Sequence, residues 1–439
     1  MNTGDTAFVL VSAALVMFMT PGLALFYGGM VRAKNVLGTV MQSFFALGLV
    51  SILWVVIGYT LAFGPTQGGL IGGFDFLGFA NVGQQPNGDL AATIPHMAFA
   101  TFQLMFAIIT PALITGAFAE RMRFSGYVAF TAAWLIFVYA PLAHWVWAPG
   151  GWIRELGALD FAGGTVVHIN AGVAALAAVL VIGKRKGFGK EAFVPHNLTL
   201  TILGTGILWF GWFGFNAGSA LGANGLAASA FLVTNVGAAA GACGWALVEA
   251  KKERKSTTLG AASGAVAGLV AITPAAGFVS PLSAIAIGLV AGVVCAYAVR
   301  LKFKLGYDDS LDVVGVHLVG GLLGALLTGL FADSAINPAG ADGLLAGGGL
   351  ALIGKQLVAV GATVLFSFAV TFAILKIVQA TVGLRVSESD EISGVDLSQH
   401  SEAGYALTEG GGAPTAPTAA PPATAHAGSP VRIPQGGEA

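Results

Sequence analysis

Two histidines share a local pattern that points to chemistry in an apolar setting. His168 and His317 each lie within a long apolar run, and each follows an aspartate by eight residues, Asp160 and Asp309 respectively. Small residues follow both: Ala171, Gly172, Gly320 and Gly321. Ionisable side chains are costly in hydrocarbon and often mark functional sites there. The matched spacing favours a histidine pair lining one pore; the alternative is two unrelated histidines, each bonded to its own neighbours.

Such a pair has a defined chemistry. Imidazoles at apolar depth tend to stay neutral, and each then offers one hydrogen-bond donor and one acceptor. Two rings sharing a proton would suit a small uncharged polar solute or a proton shuttle. They would suit a permanently charged ion poorly, since no ring of carboxylates is evident. Zinc needs three or four ligands, and no third one is evident at this depth, so we expect no metal and no cofactor.

The elements that must position these residues are membrane-spanning helices. The 439 residues are 56% hydrophobic and 9% charged, whereas soluble proteins carry about 25% charged residues. The 64 glycines suit close packing of helices in a membrane. Counting apolar runs of about 20 residues predicts an all-α polytopic membrane protein with eleven spans. The predicted spans are 7–30, 37–63, 96–118, 126–147, 163–182, 198–220, 227–248, 258–275, 282–301, 313–332 and 350–379.

Basic residues follow the odd-numbered spans. They are Arg32, Lys34, Arg121, Arg123, Lys184, Arg185, Lys186, Lys190, Lys251, Lys252, Arg254, Lys255, Arg300, Lys302, Lys304 and Arg385, and Arg154 is the clear exception. Because basic loops stay cytoplasmic, the pattern predicts an N-terminus outside and a C-terminus in the cytoplasm of a cell (inner) membrane protein. No secretory signal is expected, and the net charge of −1 suggests no nucleic-acid partner.

The two histidine motifs predict an internal repeat. Asp160 and Asp309 would cap spans five and ten, and eight residues of helix would put each histidine about 12 Å along its span. Because span five and span ten enter from opposite faces, spans 1–5 and 6–10 would form an inverted repeat, with span 11 as an addition. We divide the chain into a transmembrane domain at 1–380, a cytoplasmic tail at 381–409 and a disordered Pro/Ala/Gly-rich extension at 410–439.

Aromatic residues gather near the outer ends of several predicted spans. Phe102 and Phe106 share a face of span three, Trp147 ends span four, and Phe215 precedes Ser219 at the end of span six. One interpretation is the interfacial aromatic belt of membrane proteins. The other is a cation–π site, in which a serine hydroxyl adds an acceptor for an N–H donor. Spacing alone leaves both open.

At this point the sequence resembles the ammonium transporter family (Amt/Mep/Rh), and its bacterial Amt branch in particular. The segments that carry the resemblance, which extends over about 7–408, are Phe26–Asn35, Gly116–Phe124, Asp160–Asn170, Gly187–Phe193, Gly211–Ser219, Ile272–Pro274, Asp312–His317 and Thr381–Arg385. The resemblance implies a homotrimer with one pore per subunit. It also implies a cytoplasmic tail regulated by a PII-type signalling protein.

The resemblance assigns roles to individual residues. Phe106, Trp147, Phe215 and Ser219 are similar to the outer recruitment site for ammonium, with Phe106 and Phe215 as a stacked gate. His168, His317 and Trp212 are similar to the residues that line the pore. Asp160 resembles an acidic residue near the recruitment site, which we expect to be mainly structural, and Asp309 is its counterpart in the second half. The implied mechanism is that ammonium binds outside and loses its proton, and that ammonia then crosses past the histidines.

Other functions remain open as alternatives. The main one is an ammonium sensor that signals through its tail, although no kinase or cyclase domain is appended. An Rh-like gas channel is disfavoured because a neutral gas needs no cation site. A membrane enzyme is not expected, because the sequence shows no nucleophile–base pair and no metal set.

Overall fold

The structure is a computed structural model, and it describes residues 1–405. Eleven apolar helices account for most of this part of the chain. Ten of the helices in this part are long and apolar enough to cross a membrane, and the eighth in order is shorter, with 15 residues. The helices are Thr3–Met30, Ala33–Phe63, His96–Phe118, Phe124–Leu156, Gly164–Ile182, Leu198–Ala220, Gly225–Glu253, Thr258–Ile272, Pro281–Leu305, Val314–Phe331 and Ala351–Thr381. Each overlaps one predicted span, so the prediction of an all-α membrane protein with eleven spans is confirmed. The predicted extension 410–439 and the end of the tail, 406–409, lie outside the described residues.

Span eight is short because its sequence stops the helix early. The helix ends at Ile272, and the next residues, Thr273 and Pro274, begin a series of buried turns. Proline cannot donate a backbone hydrogen bond and disfavours helix in the residue before it. The carbonyl of Pro274 instead accepts from the backbone N–H of Phe161, at 3.1 Å. The end of span eight is thereby tied to the segment that leads into span five.

The helices pack as two matching sets of five. Span one lies along span six, and span five lies against span ten. Span three contacts spans one, two and five, while span eight contacts spans six, seven and ten, which are their counterparts in the second half. Span eleven packs on spans four, five and ten, outside this pattern. The packing therefore matches the predicted pairing of spans 1–5 with spans 6–10.

Spans five and ten begin with π-helical turns, and the histidines lie in those turns. The π-helical segments are Gly164–Ile169 and Val314–Leu318. Because the helices begin at Gly164 and Val314, the expectation of eight helical residues between Asp160 and His168 is wrong. The carboxylate must fold back to reach the first N–H groups of the helix, so the intervening residues form bends. Single π-helical turns inside α-helices are frequent at functional sites.

A glycine allows spans five and ten to approach closely. A Cβ atom on Gly172 would lie 2.3 Å from the backbone nitrogen of Leu318, which is far inside any permitted contact. Leu318 directly follows His317, so this crossing fixes the depth of His317 relative to His168. Small residues at a crossing are how membrane helices reach such separations. The small residues noted after each histidine in the sequence therefore have a packing role.

Buried histidines hold one end of the bundle, which we call the Trp147 end. His144 bonds the carbonyl oxygen of Ala62 at 3.0 Å and the hydroxyl of Thr66 at 2.8 Å. His96 lies 2.6 Å from the hydroxyl of Tyr59. Thr66 belongs to a small hairpin, Thr66–Gln67 paired with Ile71–Gly72, within the connection 64–95. These histidines anchor that connection to the helix ends.

Buried ion pairs hold the opposite end, which we call the Arg185 end. Arg185 reaches Glu120 at 3.0 Å and Asp308 at 2.8 Å, and Arg32 also reaches Glu120, at 2.9 Å. Burial raises the pKa of Glu120, but the bonds and charge of Arg32 and Arg185 outweigh that effect and hold the pKa below its usual range. The pairs join residues that follow spans one, three and five to the segment before span ten.

The described part of the tail packs back onto the Arg185 end. It contains two short helices, Glu388–Ser393 and Val395–His400. Asp396 accepts the backbone N–H of Gly38 at 2.8 Å, and Glu391 accepts the backbone N–H of Lys186 at 2.7 Å. Both carboxylate residues are buried. The tail through its second helix is therefore an ordered part of the helical unit.

Candidate functional site

The two motif histidines meet inside the bundle. Their Nδ1 atoms lie 3.3 Å apart, and their rings are 21° from parallel with centroids 5.3 Å apart. Both side chains are buried, with 1% of His168 and 4% of His317 exposed. Two neutral rings facing through Nδ1 can form a bond only if one carries the hydrogen and the other accepts it. The structure thus brings the pair together as predicted, in an arrangement that shares one proton.

Two aromatic residues of span six flank this pair. The ring of Trp212 stacks on His168 at 5.4 Å, and that of Phe215 stacks at 6.1 Å. Trp212 is fixed by a hydrogen bond from its indole N–H to the hydroxyl of Thr273, at 2.8 Å. Sequence reasoning missed the role of Thr273, although the Ile-Thr-Pro segment that contains it was part of the family resemblance. The Nε2 atom of His168 has no partner among the described residues, so it is free to bond a solute.

A stack of two phenylalanines lies next to the histidines on the side of the Trp147 end. The rings of Phe106 and Phe215 have centroids 4.3 Å apart and are tilted by 38°. Phe102 and Trp147 each meet the Phe106 ring edge to face, at 5.0 and 5.6 Å. Only 1% of Phe106 and of Phe215 is exposed. The structure therefore brings the predicted gate residues into contact from two different helices.

Beyond the phenylalanines, a cavity of about 140 Å³ opens toward the Trp147 end. It is lined by Phe63, Leu90, Phe99, Gln103, Phe106, Trp147, Arg154, Phe161, Ser219 and Leu221. The hydroxyl of Ser219 donates to the carbonyl oxygen of Phe215 at 2.8 Å, so its oxygen can only accept from a solute in the cavity. Three predicted site residues, Phe106, Trp147 and Ser219, share this cavity. The fourth, Phe215, contacts Phe106 and lines the passage on its other side.

Gln103 is a cavity residue that the sequence reasoning missed. It lies three residues before Phe106 on span three, and its Oε1 has no partner among the described residues. Its side chain is buried, with 9% of the residue exposed. An unpaired buried carbonyl is costly, so its place in a cavity wall suggests an acceptor for a bound donor. The available signal was a lone amide inside an apolar span.

Asp160 has a structural position rather than a place in the cavity wall. Its carboxylate accepts the backbone N–H groups of Gly163 and of the first three residues of span five, at distances of 2.6 to 3.1 Å. These are the N–H groups that an unaided helix start leaves without partners. Burial raises the pKa of Asp160, and the four N–H groups lower it. The backbone carbonyl of Asp160 also accepts the indole N–H of Trp147 at 3.0 Å. Asp160 thereby fixes both the helix of His168 and the ring of Trp147.

Asp309 does not reproduce this arrangement in the second half. Its Oδ2 accepts the backbone N–H of Val314 at 2.7 Å, whereas its Oδ1 has no partner among the described residues. Burial and, less strongly, the charge of Asp312 raise the pKa of Asp309 to about 6, against the opposing effect of Lys302. The two aspartates are related by sequence position but are satisfied differently.

The cavities form a row through the bundle. A passage of about 10 Å³ lies beyond the phenylalanines and is lined by Phe215, Trp212, His168 and His317 among others. His317 also lines the next cavity, of about 40 Å³, which in turn shares Asp312 with a vestibule of about 520 Å³ at the Arg185 end. The first two cavities share no wall residue and are separated by the contact of Phe106 with Phe215, whereas the later neighbours share wall residues. The row marks one route between the two ends, interrupted at the phenylalanines and narrowest at the histidines.

Known proteins match the chain over nearly its whole length. The sequence model of the Ammonium Transporter Family matches residues 7–405. An ammonium transporter of Bacillus subtilis is 55% identical over 406 residues, which cover 92% of this chain and 99% of the relative. The crystal structure of Saccharomyces cerevisiae Mep2 superposes with a TM-score of 0.83 at 37% identity, covering 88% of this chain and 91% of that one.

A further solved structure, described as a sensor Amt protein, superposes with a TM-score of 0.82. It is 29% identical, and the match covers 90% of this chain and 98% of that one. The agreement extends from overall fold to sequence in all of these comparisons. With a family match over residues 7–405 and a relative at 55% identity, the chain belongs to the Ammonium Transporter Family.

Proposed function

We propose that the protein transports ammonium or ammonia across a cell membrane. The single observation that carries this proposal is the order of the sites along one route. A cavity with unpaired acceptors and aromatic faces leads, past Phe106 and Phe215, to a passage of about 10 Å³ beside two proton-sharing histidines. A passage of that volume has no room for a hydrated cation, whereas it suits a small neutral solute.

Capture takes place in the 140 Å³ cavity. Ammonium has four N–H donors and a positive charge, and Ser219 Oγ and Gln103 Oε1 are the acceptors that the cavity provides. The rings of Trp147 and Phe106 supply cation–π attraction, worth about 0.5–2 kcal/mol per contact. Potassium has a similar charge but no N–H donors, so the two acceptors and the hydrogen-bonding geometry favour ammonium. A neutral gas would gain nothing from this cavity, which argues against the gas-channel alternative.

Passage requires that ammonium give its proton to water in the 140 Å³ cavity, at the phenylalanine gate. Moving an ion without its hydration shell into an apolar passage costs far more free energy than moving a neutral molecule. Ammonia can instead donate a hydrogen bond to the free Nε2 of His168, which the aromatic stack of Trp212 and Phe215 holds in place. The shared proton between His168 and His317 gives the pair a route for moving a proton as well. Transport of the proton with ammonia would make the process electrogenic.

The orientation of the transporter in the membrane is proposed from its basic residues, and its oligomeric state and partner from its family. The basic residues at the Arg185 end support a cytoplasmic location for that end, with the N-terminus outside the cell (inner) membrane. A homotrimer and a PII-type partner on the cytoplasmic face follow from the family resemblance. A regulatory role for the tail is supported by its seating on Gly38 and Lys186, next to the helix ends of the pore domain.

A sensor that signals through its tail is the alternative function, and it is not favoured. The relative at 55% identity is named an ammonium transporter, while the solved structure described as a sensor is 29% identical. Deleting residues 381–439 separates the two ideas. A transporter regulated by its tail would keep a measurable flux with altered rate, whereas a sensor would show no substantial flux with or without the tail.

The proposal is tested by an ammonium jump on proteoliposomes adsorbed to a solid-supported membrane. We expect a saturable current with ammonium and none with an equal potassium jump. Stopped-flow measurement of internal pH, on the same proteoliposomes, reports entry of ammonia without charge. No current but rapid alkalinisation would assign an electroneutral channel. The absence of both the current and the alkalinisation would overturn the transport function.

A further inference from the structure

Lys302 places an ammonium group in the wall of the vestibule at the Arg185 end. Its Nζ donates to Asp312 Oδ1 at 2.6 Å and to the backbone carbonyl of Asp309 at 2.9 Å. Only 8% of the lysine is exposed. Asp312 lines both the vestibule and the 40 Å³ cavity next to His317. The lysine ammonium therefore lies beside the route, at the point where it widens after the histidines.

The acceptor groups around Lys302 Nζ have few hydrogen-bond donors other than the lysine itself. Asp309 is buried, with 1% exposed, and its Oδ1 has no partner among the described residues. Asp160, its counterpart, accepts four backbone N–H groups and so needs no cation. Asp309 accepts the backbone N–H of Val314, has that of Val313 close by, and has the charge of Lys302 next to it. The second half has thus replaced part of the backbone donors by a side-chain cation.

These acceptors are the groups that would bind free ammonium. Lysine Nζ and the ammonium ion carry the same charge on a tetrahedral nitrogen with N–H donors, so a site that holds one by hydrogen bonds can hold the other. We infer that Asp309 and Asp312 form an ammonium site at the inner mouth of the route, which Lys302 keeps permanently filled with its own ammonium group. The inference rests on the proposed function for its biological meaning, since it concerns ammonium that arrives at this mouth.

The consequence is a difference between the two ends of the route. At the Trp147 end the acceptors are open, so ammonium can be captured. At the Arg185 end the acceptors are occupied, so ammonium formed there meets no vacant site and leaves into the vestibule. Without the lysine, both acidic residues would lose their cation, and the loss would be most costly for Asp309, which is buried. Free ammonium would then be required to fill the site.

Chemical rescue of Lys302→Ala tests the inference. The purified full-length variant, in nanodiscs, is heated at increasing ammonium chloride, with potassium chloride at equal ionic strength as the reference. We expect a lower unfolding temperature than in the wild type, and an ammonium-specific rise that exceeds the wild-type rise by about 2 °C or more. The wild type controls for binding at the Trp147 end. Potassium cannot donate hydrogen bonds and should not reproduce the effect.

Two further variants make the result specific. Lys302→Met fills the space without a charge, and its ammonium-specific rise should be no larger than that of the wild type. Adding Asp312→Asn to Lys302→Ala removes an acceptor and should reduce the extra rise. If Lys302→Ala does not fold, Lys302→Ser opens the same space with a smaller loss of hydrogen bonding. An ammonium response equal to that of the wild type, in whichever of these two variants folds, would overturn the inference.

The same variants separate this inference from the transport function. In proteoliposomes, ammonium loaded inside should restore the uptake of Lys302→Ala toward the wild-type rate, and should leave the uptake of Lys302→Met low. A wild type that shows no transport would overturn the proposed function, while the thermal rescue would still report on the ammonium site. If the wild type transports ammonium but ammonium does not rescue Lys302→Ala, the inference of an inner ammonium site is overturned and the transport function is kept.

Discussion

His168 and His317 face each other through the same ring atom, Nδ1, at 3.3 Å. This contact means that the two rings differ in their tautomer, because only one of the two Nδ1 atoms can carry the shared hydrogen. The Nε2 atom of each ring then points away from the pair, as an acceptor on one ring and a donor on the other. The two rings come from helices that belong to different halves of the repeat.

Replacing either histidine should remove the Nδ1–Nδ1 hydrogen bond and the proton shared in it. We expect His168→Ala and His317→Ala to reduce the ammonium-evoked current by roughly 100-fold, in the range of lost proton-transfer catalysis. Solid-supported-membrane recordings provide the measurement, and stopped-flow pH assays show whether ammonia still enters. His196→Ala is the matched control, because His196 lies in the connection after span five and not beside the passage. An unchanged current in both pore variants would contradict the role of the pair.

Trp147 should set the apparent affinity rather than the maximal rate. Trp147→Leu removes one aromatic face from the 140 Å³ cavity and leaves Ser219 and Gln103 in place. The loss of about 0.5–2 kcal/mol predicts an apparent KM for ammonium that is raised roughly 2- to 30-fold. Trp209→Leu removes an indole from span six that does not line the cavity and should leave KM unchanged. Equal KM values in the two variants would argue that the tryptophan is only part of the interfacial belt.

Asp160 should matter mainly for folding. Asp160→Ala leaves four backbone N–H groups without their acceptor, and since bonds to charged groups contribute about 1.5–3 kcal/mol each, we expect a loss of roughly 3 kcal/mol or more. Asp160→Asn keeps one acceptor oxygen, so its stability should lie between those of the wild type and Asp160→Ala. Thermal unfolding followed by tryptophan fluorescence measures the effect, with Asp89→Ala in the exposed connection as control. A fully stable Asp160→Ala that has lost transport would show an electrostatic role instead.

Arg185 should control stability in acid. Arg185→Met leaves Glu120 and Asp308 buried without their shared partner, which predicts a loss of about 3–5 kcal/mol. In the wild type, burial raises the pKa of Asp308 but its bonds to Arg185 lower it further, so both carboxylates have a pKa below the ordinary value. Their stabilisation is present above about pH 4 and is lost as the pH falls through the lowered pKa values.

The pH dependence of Arg185→Met gives the sharper test. Without the guanidinium, burial is less strongly opposed and the pKa values of the two carboxyls rise, so the folded state no longer resists their protonation. The unfolding temperature of the variant should therefore start lower at neutral pH and fall less than that of the wild type as the pH drops below about 4. Lys190→Met, an exposed neighbour in the same connection, should follow the wild-type curve. Coincident curves for Arg185→Met and the wild type would show that the ion pairs contribute nothing measurable to the Arg185 end.

Much of the fold could be predicted because each span satisfies its own backbone hydrogen bonds. In a membrane, an apolar run of sufficient length must become a helix whatever its neighbours are, so a local count of residues is enough. The eight-residue spacing likewise identified His168 and His317 as partners. It failed in detail at Asp160, where a helical path was assumed. The carboxylate serves four N–H groups, and that requires a bend before Gly164.

The missed residues all depend on contacts between distant segments. Thr273 matters because its hydroxyl holds Trp212, which is 61 positions away. Gln103 matters because it lines a cavity that residues from five other segments complete, and its Oε1 has no partner among the described residues. Glu120 carries no functional signal in its own surroundings, yet it binds Arg32 and Arg185 from two other connections. Periodicity and motif spacing contain no information about such pairs.

The sequence alone determined the membrane class, the eleven helices, their pairing into two halves and the types of residue at the pore, because each follows from local composition and spacing. Only the tertiary structure decided that the two Nδ1 atoms meet, that Phe106 stacks on Phe215, and that Asp160 and Asp309 are satisfied in different ways. The physical reason is that helix formation depends on each segment's own backbone. The chemistry of a site depends on which side chains from separate helices come within hydrogen-bonding distance.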